Sequence, residues 1–283
     1  MFYLLIIMYF MSSSLKVESL KAIQMTSYDA LISYLSNGAE ASYFFNISTC
    51  VPANATPKFD IPLIGGKIKL FVDWREEDWR KEDESRVVYF SETRYTDENI
   101  KDLNEEIQSF WLFKDTSEVY WGKPGFFVNY TADTEGVFCN WTNGEGKILV
   151  TQPNEQKQLT TFKDVQTTLM AGEEIRWIVK MIGCKCPPDP LGCMDSSFGD
   201  TIKDFKIKNG SISFSSSMTV YVPLPRQYTR LVVFGHVYEN NTVNFMASYF
   251  DPTTWVDGKN YMIVCPISTE PSAEGAIFFT TIE

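Results

Sequence analysis

The feature that most constrains this chain is that it matches itself. Segment 26–50, TSYDALISYLSNGAEASYFFNISTC, lies on segment 160–184, TTFKDVQTTLMAGEEIRWIVKMIGC, without a gap. Gly38 falls on Gly172 and Cys50 on Cys184, an offset of 134 in both cases (172 − 38 and 184 − 50). The same offset carries on through Gly65/Gly199, Ile68/Ile202, Lys69/Lys203 and Phe71/Phe205. It drops to 124 at Phe90/Phe214 and Ser91/Ser215, so the first copy holds ten extra residues, somewhere in the stretch WREEDWRKEDE from Trp74 to Glu84. Cys139 then meets Cys265 at an offset of 126. Self-similarity at a near-constant spacing is the mark of a repeated structural unit and takes precedence over any residue-by-residue assignment. A chain of 283 residues also exceeds the usual size of one domain. The expected organisation is a signal peptide at 1–16, a first unit at 25–151, a linker at 152–158 and a second unit at 159–283.

Each unit opens on a short helix. Tyr28, Leu31, Ile32 and Leu35 recur at helical spacing, with Thr26 or Ser27 to cap the start and Gly38 to take the left-handed position after the end. Phe162, Val165 and Leu169 repeat the pattern ahead of Gly172. After each glycine the apolar period changes from helical to strand-like, and a run of strand signals follows. KIKLFV, RVVYFSE, IQSFWLF, EVYWG, FFVNYT, VFCNW and KILVT belong to the first copy; IKDFKI, SISFSS, TRLVVFGHVY, TVNFMASYF, NYMIVC and AIFFTTI belong to the second. Asn209-Gly210 between two such runs is a hairpin signal. Short connections force antiparallel pairing, because parallel strands need a crossover of about a dozen residues. The expected fold class is therefore mainly β (α+β): two homologous antiparallel β-barrel or half-barrel units, each preceded by a short N-terminal helix.

Residues Phe2 to Met11 are an apolar run of the length of a signal-peptide core, followed by the small residues Ser12–Ser14. No Lys or Arg precedes the run, so a start-site artefact or a buried helix is the competing explanation. The run is shorter than the roughly 20 apolar residues that span a bilayer. Six sequons begin at Asn46, Asn54, Asn129, Asn140, Asn209 and Asn240. The six cysteines are even in number, which suits an oxidising compartment. Of their fifteen possible pairings, the repeat selects Cys50–Cys139 and Cys184–Cys265 as equivalent bridges and leaves Cys186–Cys193 as a bridge private to the second copy. A metal centre at Cys184, Cys186 and Cys193 would need reduced thiols and a fourth ligand. These features together lead us to expect an extracellular, glycosylated and disulfide-bonded chain with no stable membrane anchor.

Catalytic constellations are sparse. The one histidine, His236, sits in the strand-like run VVFGHVYEN, and Ser215–Ser217 lie in a strand with no nucleophile-elbow pattern around them. P-loop, dinucleotide, H-E-x-x-H and EF-hand patterns are missing from the sequence. Paired carboxylates are all that glycoside hydrolysis requires, and 36 acidic residues supply many pairs, none distinguished by its spacing. A formal charge of −11 repels phosphate backbones, so nucleic acid is not an expected partner. The ten-residue insertion carries Trp74 and Trp79 and is either a candidate binding loop or the tip of an exposed hairpin. Trp111, Trp121, Trp141 and Trp177 lie in strand-like runs and are expected in the core.

The unit resembles the VirK family, small secreted bacterial proteins tied to host interaction and without an established biochemical activity. The matching residues are Tyr28, Leu35, Gly38, Cys50, Gly65, Ile68, Phe71, Phe90, Ser91 and Cys139, then Phe162, Leu169, Gly172, Cys184, Gly199, Ile202, Phe205, Phe214, Ser215 and Cys265. The family's histidine-containing stretch after the Phe-Ser strand is replaced by Glu92-Thr93-Arg94 and Ser216-Ser217-Met218, so a role tied to that histidine does not carry over. With the self-match, the resemblance implies a tandem duplication of a VirK-like domain, and no cofactor is expected. The expected function is a secreted, non-enzymatic binding or structural glycoprotein. An extracellular carrier of a small apolar ligand in a barrel cavity is the alternative, and a carboxylate-dependent hydrolase is the third. The partner is an extracellular protein, a glycan or a small apolar ligand.

Overall fold

The computed structural model describes residues 22–52, 63–78, 83–96, 104–126, 136–151, 156–186, 193, 195–222, 227–251, 254–270 and 274–281. The expected signal peptide, Asn54, Asn129 and Trp79 lie outside the described residues. The first half runs β1 (Ala22–Gln24), α1 (Tyr28–Ser36), β2 (Glu40–Asn46), β3 (Val51–Pro52), β4 (Leu63–Ile68), β5 (Phe71–Asp78), β6 (Asp83–Thr96), β7 (Asn104–Phe113), β8 (Glu118–Phe126), β9 (Gly136–Asn140) and β10 (Gly146–Thr151). The second runs β11 (Gln156–Leu159), α2 (Phe162–Met170), β12 (Ile175–Lys180), β13 (Ser197–Ile202), β14 (Phe205–Lys208), β15 (Ser211–Val222), β16 (Gln227–Tyr238), β17 (Thr242–Phe250), β18 (Asp257–Pro266) and β19 (Gly275–Thr281). The described chain is thus mainly β, with two α-helices. Residues 156–158, assigned to the linker from sequence, form part of β11, which pairs with β19.

Local chemistry explains the helices. The Ser27 hydroxyl accepts from Ala30 N at 3.2 Å, and Gly38 follows the helix at φ +82° in the left-handed region. In α2 the cap is reciprocal. Asp164 N donates to Thr161 Oγ1 at 3.1 Å, Thr161 N donates to the Asp164 carboxylate at 3.1 Å, and Gly172 follows at φ +81°. Tyr28, Leu31 and Leu35 of α1, and Phe162, Val165 and Leu169 of α2, are the buried stripes.

All the ladders between named strands are antiparallel, in the orders β1-β10-β2-β4, β11-β19-β12-β13-β5-β6-β7-β8-β9-β3 and β14-β15-β16-β17-β18. The expected barrels do not form: none of these sheets closes on itself. A strand has two edges, and β13 spends one on β12 and the other on β5 of the opposite half, through Ser197↔Asp73, Phe198↔Val72 and Gly199↔Phe71. That junction creates the ten-stranded sheet instead of closing a unit. Within each half two sheets pack face to face over aromatic rings. Tyr43 of β2 lies 5.2 Å from Phe90 of β6 and 4.6 Å from Phe110 of β7. Trp177 of β12 lies 5.5 Å from Phe214 of β15 and 5.2 Å from Phe245 of β17. Ring contacts of this kind contribute about 0.5–1.5 kcal/mol beyond the area they bury.

The described part of the stretch that holds the insertion, 74–78 and 83–84, is strand, and residues 79–82 lie outside the described residues. That part lengthens the β5–β6 hairpin, with Trp74 opposite Val87 and Asp78 opposite Asp83. The matching hairpin in the second half turns tightly at Asn209 (φ +50°) and Gly210 (φ +69°), where both residues need the left-handed region.

Candidate functional site

The two halves meet around a buried carboxylate. Strand alternation puts Asp73 on the same face of β5 as Phe71, and both are completely buried. A buried charge is tolerated only when it is paired and hydrogen-bonded. Asp73 accepts from the Tyr28 hydroxyl at 2.6 Å and from Arg86 Nε and Nη2 at 2.9 and 2.8 Å. Arg86 also donates from Nη1 to Asp195 of the second half at 2.8 Å, so one guanidinium ties the halves together. Burial, then the charge of Asp73, pushes the Tyr28 hydroxyl well above its ordinary pKa. Its hydrogen bond to Asp73 holds the Arg86 guanidinium above its own ordinary value.

Other contacts extend this junction. The Tyr89 and Ser91 hydroxyls of β6 both donate to the Thr219 carbonyl of β15, at 2.8 and 2.6 Å. Gly38 at the end of α1 is packed so closely that an added β-carbon would stand 2.8 Å from the Phe279 ring and 3.0 Å from the Gln156 side chain.

Beside the Arg86 bridge lies a cleft of about 420 Å³. Asp29, Ser33 and Asn37 line it from α1 and the turn after it; Lys180, Ile182, Asp195 and Glu274 line it from the second half. Three carboxylates, two cations and several hydroxyl or amide groups thus face one space, with Ile32 and Ile182 as its apolar contacts. Burial lowers the Lys180 ammonium below its ordinary pKa. The volume lies within the roughly 300–1,000 Å³ of small-molecule sites. A second void at the junction, bounded by Gly38, Glu40, Gln156, Glu174, Arg176 and Thr280, is about 30 Å³ and too small for such a ligand.

The sequence-derived candidates fall elsewhere. Cys50–Cys139, Cys184–Cys265 and Cys186–Cys193 stand at disulfide distance, with S–S separations of 2.07, 2.05 and 2.11 Å. The three cysteines considered for a metal therefore lie in two different pairs. Asn46 and Asn140 close strands β2 and β9, and Asn209 and Asn240 occupy turns. In three of these sequons the hydroxyl two residues on donates to the asparagine Oδ1: Ser48 to Asn46 at 2.6 Å, Thr142 to Asn140 at 2.8 Å and Thr242 to Asn240 at 2.6 Å. Trp74 lies in β5, and Trp79 is among the undescribed residues. His236 sits on the outer face of β16, with Nδ1 3.0 Å from the Ser213 hydroxyl and its ring 6.5 Å from Tyr238. Trp111, Trp121, Trp141 and Trp177 are buried, as expected.

Sequence reasoning passed over Asp73, Arg86, Asp195 and Lys180. A signal was present in the run IKLFVDW, where one acid shares an inward strand face with phenylalanine. Among the described residues, no helix is long and apolar enough to cross a membrane, and no cluster of three His, Cys, Asp or Glu side chains is placed to hold a metal ion.

A search of curated proteins finds no match to the chain. The crystal structure of a VirK family protein from Legionella pneumophila is similar at 13% identity with a TM-score of 0.38, over 43% of this chain and 98% of that one. The family model described as VirK protein matches residues 158–255. A VirK family domain is thus found in the second half of the chain, from just before α2 into the loop after β17.

Proposed function

We propose that this chain is a secreted, glycosylated, non-enzymatic binding protein, produced by tandem duplication of one VirK-like unit, that takes a polar ligand in the cleft between its halves. The observation that carries the binding role is the cleft of about 420 Å³ with charges of both signs. Such a lining suits a zwitterionic or polyhydroxylated molecule, or the end of a peptide, more than an apolar one. The duplication draws support from the common element order of the halves and from their common pairing. The pair Ala41↔Ile68 between β2 and β4 corresponds, at an offset of 134 on both sides, to Ile175↔Ile202 between β12 and β13. Secretion draws support from three cysteine pairs at bonding distance, which persist in oxidising compartments. An apolar carrier is less well supported, since the open sheets offer no barrel interior and the facing sheets are filled by aromatic rings.

Native mass spectrometry of the chain purified from its source tests the proposal. The expected result is a retained polar ligand of defined mass, lost when Ile182, an exposed cleft residue, is changed to Trp to fill the space. A ligand retained equally by the Ile182→Trp variant would place binding outside the cleft. A retained lipid or other apolar molecule would favour the carrier.

A further inference from the structure

The pairing of β13 with β5 has no counterpart between β4 and β14 among the described strands. At an offset of 134, Ser197, Phe198 and Gly199 of β13 correspond to Leu63, Ile64 and Gly65 of β4; Phe71, Val72 and Asp73 of β5 correspond to Phe205, Lys206 and Ile207 of β14. Among the described strands β4 pairs only with β2, and β14 only with β15, so each ends its sheet with one edge that no described strand covers. An open strand edge is a row of unsatisfied backbone donors and acceptors, a template for another strand.

The side chains on these edges fit the same picture. Phe71, inside the junction, is completely buried, whereas its counterpart Phe205 is 43% exposed. Ser197, inside the junction, is 8% exposed, whereas its counterpart Leu63 is 53% exposed. The helix ends differ in the same direction. Gly38 is packed against Phe279 of the other half, while a β-carbon at Gly172 would meet nothing within 4 Å. The polar bridge is not repeated, because Ile207 stands where Asp73 would be and Phe162 where Tyr28 would be. Register equivalence would then set Ile207 opposite Leu63, an apolar pair, in place of Asp73 opposite Ser197. Phe205 would lie opposite Gly65, as Phe71 lies opposite Gly199.

We infer that the open edge of β14 accepts the open edge of β4 from a second copy of this chain, joining copies head to tail by the same antiparallel ladder that joins the halves. The inference rests on the duplication proposed above, because only the repeat makes the two edges complementary. A joint between different surfaces closes into a ring when its rotation permits and otherwise propagates as a filament. Asn46 lies opposite Leu63 on β2, and Asn209 directly follows β14, so glycans at these sequons would stand beside both edges.

Sedimentation velocity on the full secreted chain, before and after glycan removal and up to its solubility limit, provides the test. The expected result is self-association in at least one glycan state. Leu63→Glu and Phe205→Glu, both at exposed positions, should each give monomers with unchanged far-ultraviolet circular dichroism. An equimolar mixture of the two variants should give a dimer and nothing larger, because one intact β14 edge and one intact β4 edge remain. A wild-type chain that stays monomeric in both glycan states overturns the inference, as do oligomers that survive both substitutions or a mixture that stays monomeric. Failure of the duplication is a different result: strand pairings that differ between the halves in an experimental structure. A monomer whose halves match overturns the edge joint alone.

Discussion

Val87, Val88, Tyr89 and Phe90 on β6 are all at most 1% exposed, so this strand is covered on both faces. The corresponding stretch of β15 alternates, with Ile212 and Phe214 buried and Ser211, Ser213 and Ser215 partly or fully exposed. The first stretch reads RVVYF and the second SISFSSS, as expected of strands buried on two faces and on one. The difference follows the neighbours. The outer face of β6 and β7 carries Tyr89 and Trp111, which join the core of the second half. The equivalent face of β15 to β18 carries Ser213, His236, Met246 and Met262, with the two methionines 38% and 56% exposed. The face of β6 and β7 that joins the second half's core is thus apolar, while the outer face of β15 to β18 is mixed.

The largest expected effect comes from equivalent positions on these two faces. Trp111 is paired with Tyr89 and His236 with Ser213. Trp111→Ala should destabilise the chain by about 3–5 kcal/mol, as for other buried aromatic truncations. His236→Ala should cost no more than about 0.5 kcal/mol, as for a site outside the core. Urea unfolding followed by circular dichroism measures both, and equal costs would break the comparison.

Next in size is the bridge present in the first half alone. Tyr28→Phe removes a hydrogen bond to a buried carboxylate and should cost about 1.5–3 kcal/mol at neutral pH. Phe162, its counterpart, already lacks the hydroxyl. Burial and the Asp73 charge hold the Tyr28 pKa above its ordinary value, while in the unfolded chain the group ionises near pH ~10. Above that pH the folded state binds more protons than the unfolded state, so stability falls as pH rises. Denaturation midpoints between neutral pH and pH ~11 should therefore decline less steeply in Tyr28→Phe than in the parent chain. An unchanged slope would remove Tyr28 from the account.

The smallest effect concerns the helix starts. Thr161 and Asp164 cap each other, whereas Ser27 faces Ala30, which has no carboxylate to return. Thr161→Ala should cost about 1–2 kcal/mol and Ser27→Ala about 0.5–1 kcal/mol. The hydrogen bond from Thr161 is the main cause lowering the Asp164 pKa, so its contribution is present above the ordinary carboxylate range and is lost as pH falls through the lowered value. The gap between the two variants should accordingly close in acid.

Much of the local architecture was legible because its causes lie within a few residues. A serine or threonine before an apolar helical stripe and a glycine after it mark both helices. Asn209-Gly210 specifies its hairpin for the same reason. The candidate cleft was not legible, because Arg86 and Asp195 are 109 residues apart and neither is unusual in its own segment. Trp74 drew notice because tryptophan is conspicuous in a charged stretch, and the described ends of that stretch pair as β5 and β6.

By itself the sequence determined the periodic properties, the two helices and the antiparallel β character, and its cysteine spacing anticipated the three pairs that stand at disulfide distance. Tertiary structure alone decided that the sheets stay open, that β13 joins β5, and that Asp73, Arg86 and Asp195 meet. The physical reason lies in what each kind of choice depends on. Caps, turns and alternation are set by steric and hydrogen-bonding preferences within a short stretch. Every strand edge offers the same row of backbone donors and acceptors, so its partner is chosen by the side chains that come together only once both halves have folded.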